Sequence, residues 1–136
     1  MERIKISTKE QKVTGILPIN VDEKDHDISF EYTSLQEFKK AVQLSVKASD
    51  IYLETGKTKA SEDPVGLLDA FEEASKIYRD VLRILLGEVG YTNLVSIIGG
   101  SIPSVISQAL ITSLGELYSK HFMRFTAEYL STEGKL

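Results

Sequence analysis

The sequence predicts a mostly helical α+β domain: a small N-terminal antiparallel β segment over residues 1–32, then a bundle of three long helices and one short helix. Three observations carry this expectation. Up to Tyr32, apolar and polar residues alternate in short runs, the period of half-buried strands. From Ser34 onward, apolar residues recur every three or four positions, as on a helix with one buried face. Helix start and stop signals fall where that pattern begins and ends. With 136 residues, 42% hydrophobic and 26% charged, the chain has the size and composition of a single domain, 1–136, that buries one core.

In the β segment, Ile4 and Ile6 alternate within Arg3–Ser7 and predict a first strand. Val13, Ile16, Leu17, Ile19 and Val21, around Gly15 and Pro18, predict a second, interrupted strand. Its proline cannot donate to a ladder, which places it at a sheet edge. Asp22–Asp27 (DEKDHD) reads as a solvated turn, and Ile28, Phe30 and Tyr32 as a third strand.

The first helix is predicted over 34–55. Ser34 and Glu37 form a capping-box pair at its start. Leu35, Phe38, Val42, Ser45/Val46, Ser49 and Leu53 make its apolar face, opposite Gln36, Lys40, Gln43, Lys47, Asp50 and Glu54. Gly56 is a natural left-handed terminator, and Thr55–Asp63 a polar connection. Asp63-Pro64 restarts helix as N-cap and first-turn proline. A stripe from Leu67 and Leu68 through Phe71, Ala74, Tyr78, Val81 and Leu82 to Leu85 and Leu86 carries this second helix over 64–86. Gly87 ends it, and Gly87–Gly90 (GEVG) forms a corner. A short apolar helix over 92–98 stops at Gly99-Gly100. Ser101 then caps a last helix over 102–130, whose apolar positions run from Ile102 to Tyr129.

Thr92 to Gly115 contains no charged residue. By length, Leu94–Leu117 reaches across a bilayer. However, it holds Gly99, Gly100, Pro103, Gln108 and five serines, and it lacks flanking aromatic belts and a lysine or arginine cluster. No membrane span is therefore expected, which leaves two destinations for the segment. It is the central core helix of the domain, or it is a contact surface, because a helix apolar on more than one face needs neighbours on several sides. Ser104, Ser107 and Ala109 are small enough to let another helix approach closely.

Recognisable chemistry is sparse. The net charge of −4 argues against general nucleic-acid binding, which needs a basic surface. Without cysteine, no disulfide or thiolate site forms. The charged N-terminus MERIKISTKEQK lacks the apolar core of a signal peptide, and a cytoplasmic location follows. Gly56–Thr58 (GKT) imitates the end of a phosphate-binding loop, but Ile51 stands where the motif needs glycine. The acidic run Asp22–Asp27 lacks the glycine and closing glutamate of an EF-hand. His121 has no identifiable nucleophile or metal partner. Glu72 and Glu73 are adjacent and diverge on a helix. No catalytic residue, cofactor or metal site is expected.

Leu85, Leu86, Gly87, Glu88, Val89 and Gly90, followed by Leu94 to Gly99, resemble the helix–glycine–short helix–glycine pattern of small acidic tail assembly chaperones of long-tailed bacteriophages. The resemblance covers roughly residues 65–120, and Val89 departs from it by being more hydrophobic than the pattern between its glycines. It implies a non-catalytic protein that binds the hydrophobic tape-measure protein and keeps it soluble in the host cytoplasm until tail-tube subunits replace it. Exposed apolar helical surfaces suit that task, and an acidic exterior favours solubility. The partner-binding residues expected are Leu94, Ile97, Ile98, Val105, Ile106, Leu110 and Leu114. The alternative is a self-associating structural subunit of a virion or other complex, a homo-oligomer packed through its last helix. A small enzyme without a recognisable motif ranks third.

Overall fold

A computed structural model describes Arg3, residues 13–57 and residues 62–132, with side chains through Arg124. Two antiparallel strands precede three helices: β1 (Thr14–Val21), β2 (Lys24–Glu31), α1 (Leu35–Thr55), α2 (Pro64–Ile98) and α3 (Ser104–Thr132). The mostly helical α+β class is the one expected. The strand expected at Arg3–Ser7 lies outside the described residues.

The hairpin is tighter than expected. Asp22 and Glu23 both take positive φ, 51° and 68°, as in a two-residue turn whose twist matches the flanking strands. Only those two residues are spent on the turn, so Val21 pairs with Lys24 and Pro18 with Asp27. The acidic run Asp22–Asp27 is thus mostly strand rather than loop. The polar residues fit because both faces of this end of the hairpin are open, and inward burial begins only at Ile28. Gly15, Leu17, Ile28 and Phe30 point inward, and the Tyr32 amide extends the ladder to the Val13 carbonyl at 3.0 Å.

Helix α1 starts where expected, with the Ser34 hydroxyl accepting from the Glu37 amide at 3.2 Å. Two details differ from expectation. Gly56 ends it in a right-handed conformation, φ −62°, because its amide still reaches the Tyr52 carbonyl. The buried face is also not the one with the largest apolar side chains. Ala41, Ala48 and Thr55 are buried, with Leu44, Ile51 and Tyr52 partly so, while Leu35, Val42, Val46 and Leu53 are exposed. Alanines seven residues apart leave α1 room to pack closely on α2, where Tyr52 stacks on Tyr78 and tilts against Phe71.

Asp63 caps α2 by accepting from the Gly66 amide at 3.0 Å, ahead of Pro64. The predicted short helix is the second part of α2. The break stays at Gly87 (φ 72°, ψ 170°) but takes one residue, so three helices stand among the described residues instead of four. Gly87 lies in a region essentially reserved for glycine. The chain must bend sharply there. The Ser75 and Ser104 hydroxyls are 2.7 Å apart, yet a straight helix would put Ser75 about 35 Å from Ile98, and Gly99–Pro103 spans only about 20 Å. By length and composition α2 is apolar enough to cross a membrane. The bend at Gly87, and the packing of α1, α3 and β2 on it, make it the centre of the core.

Gly99 closes α2 in the left-handed conformation, φ 87°, its amide bonded to the Val95 carbonyl at 2.8 Å. Helix α3 begins at Ser104, two residues later than expected. Proline disfavours helix in the residue before it, so buried Ile102 stays outside the helix, and the Pro103 carbonyl accepts from the Ser107 amide.

Candidate functional site

The structure divides the seven expected partner-binding residues. Leu94 and Leu114 are 0% exposed; they belong to the core and offer nothing to a partner. Ile97, Ile98 and Leu110 are half-buried and lean on that core. Val105 and Ile106 are open, at 77% and 44% exposure. The charge-free segment is therefore core on one side and surface on the other, for a reason rooted in helix geometry. Ser104, Ser107, Ile111, Leu114 and Tyr118 form the stripe of α3 turned toward α2, and the remaining positions of the same turns must face outward.

That outward side consists of Val105, Ile106, Gln108, Ala109, Thr112 and Ser113. Of its two hydroxyl groups, that of Thr112 donates to the Gln108 carbonyl at 3.0 Å; the Ser104 and Ser107 hydroxyls belong to the inward stripe, where Ser104 bonds Ser75 and Ser107 is buried. What is left is an uncharged surface over the first three turns of α3, apolar at Val105, Ile106 and Ala109 and polar at Gln108, Thr112 and Ser113. Such a surface suits close approach of another helix and lacks groups for acid–base chemistry.

A second open apolar surface lies on α1. Leu35, Val42, Val46 and Leu53, part of the apolar face expected there, face outward. Beside them a groove of about 300 Å³ runs between α1 and α3, lined by Phe38, Val42, Val46, Leu85, Ile111 and Gly115. The signal that could have found this face is the spacing of Ala41, Ala48 and Thr55, which marks the opposite, close-packed side of α1.

Below the groove the core is aromatic. Tyr118 is fully buried and stacks on Phe38 at 4.9 Å, with Tyr32 edge-on at 4.9 Å. Its hydroxyl donates to the Leu85 carbonyl at 2.6 Å and accepts from the Thr33 amide at 3.0 Å. Burial pushes its pKa up to about 12, against the opposing pull of the Thr33 amide. His121 lies flat on Tyr32, 4.1 Å between ring centres. Burial first, and the Arg124 charge second, lower its pKa and favour the neutral ring. These groups are held by packing, and they do not converge on an open cavity with a nucleophile.

A larger hollow of about 600 Å³ separates β2 from the Gly87 bend and is lined by Glu31, Tyr32, Thr33, Glu88, Val89 and Gly90 among others. Among the described residues, no three His, Asp or Glu side chains gather as a metal site. Comparisons with protein-family models, with curated proteins and with solved structures find no match to this chain.

Proposed function

We propose that this chain is a non-catalytic protein-binding protein that holds an apolar helix of another protein in solution. The observation that carries the reading is the uncharged outward side of α3, with Val105 and Ile106 open at its start. An amphipathic helix laid on this side buries its own apolar face and leaves its polar face in water, the helix-on-groove mode of peptide recognition. Small side chains at Ala109, Thr112 and Ser113 let the two backbones approach. The acidic remainder of the molecule keeps the complex soluble.

Together with the likeness of Leu85–Gly99 to the phage pattern, this supports a tail assembly chaperone for a tape-measure protein, acting in the host cytoplasm. The binding residues in this reading are Val105 and Ile106, bordered by Ile97, Ile98 and Leu110. Co-expression with an aggregation-prone tape-measure segment tests it. The wild type is expected to keep the segment in the soluble fraction, and Val105→Glu with Ile106→Glu to release it to the pellet. An unchanged soluble fraction in the double variant would contradict the assignment.

A further inference from the structure

We propose that this chain forms a two-fold homodimer through the outward face of α1, paired antiparallel with α1 of a second copy. The exposed residues of that face are Leu35, Lys39, Val42, Val46, Ser49 and Leu53. They recur at alternating intervals of four and three residues, the 3.5-residue repeat of a seam that follows a partner helix over several turns.

The order along the seam identifies the partner. Reversed about Leu44, its four apolar positions fall on like residues: Leu35 comes opposite Leu53 and Val42 opposite Val46, while the polar positions Lys39 and Ser49 face each other. A two-fold interface brings residue i of one copy against j of the other and j against i, so in this register leucine meets leucine and valine meets valine. A foreign helix imposes no such symmetry. Charge agrees with the register. Asp50 sits on the same flank of the seam as Lys39, and in an antiparallel pair like flanks meet. Lys39 of one copy therefore falls beside Asp50 of the other, twice by symmetry. Neither side chain takes part in the ion pairs formed within the chain among the described residues. On the other flank lies the apolar α1–α3 groove, which a second copy roofs. The Val105 and Ile106 side of α3 is a separate surface, so dimerisation and helix capture stand or fall independently.

Sedimentation equilibrium tests the proposal. The wild type is expected at twice the 15.1 kDa chain mass, and Val46→Glu at the single-chain mass with its helical circular dichroism intact, since Val46 is surface-exposed. Lys39→Glu should raise the dimer dissociation constant several-fold, and Lys39→Glu with Asp50→Lys should restore it. Because the chain has no cysteine, register is readable by oxidation. A mixture of Val42→Cys and Val46→Cys chains should cross-link between copies, and neither variant alone should. A monomeric wild type, a Val46→Glu dimer, cross-linking of Val42→Cys with itself, or dissociation by Val105→Glu in place of Val46→Glu would each overturn the proposal. So would a loss of helical-peptide binding in Val46→Glu, which would give the face to a foreign helix.

Discussion

The Tyr118 hydroxyl donates to the Leu85 carbonyl and accepts from the Thr33 amide, so one side chain of α3 ties the interrupted α2 to the junction between β2 and α1. The arrangement answers a need created two residues after Leu85. At Gly87 the chain leaves the helical path, and carbonyls in the last turn before a helix break lose their ladder partners. Tyr118→Phe keeps the aromatic packing but strands a buried carbonyl and an amide, and it should cost about 1–3 kcal/mol in urea unfolding. The phenol also sets an alkaline limit. Its pKa is near 10 when unfolded and about 12 when folded, so the folded chain retains a proton that the unfolded chain loses. This part of the stability is present below pH 10 and is lost as pH rises from 10 toward 12. Unfolding midpoints measured across that window should fall in the wild type and stay flatter in Tyr118→Phe. His121 acts at the other end. Its lowered pKa means that the unfolded chain takes up a proton first, and its contribution is lost as pH drops below the usual histidine range near 6.5.

Among the elements, α2 was the most legible, because its wide stripe and its Asp63-Pro64 start are strong local signals. The glycine at 87 was legible as a break but not in extent. A one-residue bend and a four-residue corner share the same sequence, and in the fold Gly90 is back in helix, packed close against Ser29 and Phe30. Gly87→Ala tests that geometry. A side chain at φ 72°, ψ 170° carries backbone strain of about 1–3 kcal/mol, although no atom obstructs its Cβ. The loss should appear in thermal unfolding, and an unchanged midpoint would mean that the bend is relaxed elsewhere. Helix α1 shows the reverse case. Periodicity located it to within a residue but chose the wrong face, because size-weighted apolarity favours Leu35, Val42 and Leu53, whereas helix–helix distance favours Ala41 and Ala48. Hydrophobic patterning identifies faces that avoid charge; it does not say which of two such faces the domain itself covers.

At the scale of the molecule, two uncharged or apolar helix faces remain open: the outward side of α3, proposed to take a helical client, and the seam of α1, proposed to pair with a second copy. Both are surface positions, so glutamate at either is expected to leave the fold within about 0.5 kcal/mol of wild type. The candidate site was half legible from the sequence. Val105 and Ile106 emerged from the absence of charge between Thr92 and Gly115, but the same absence also drew in Leu94 and Leu114, which only the three-dimensional packing assigns to the core. The most direct test of the central claim is fluorescence anisotropy with a labelled amphipathic helix bearing one leucine-rich face. Saturable binding is expected for the wild type. Val105→Glu with Ile106→Glu should weaken it at least tenfold, or about 1.4 kcal/mol, and Val46→Glu should leave it unchanged. Wild-type affinity in the Val105→Glu, Ile106→Glu chain would contradict the claim that the charge-free side of α3 is the binding surface.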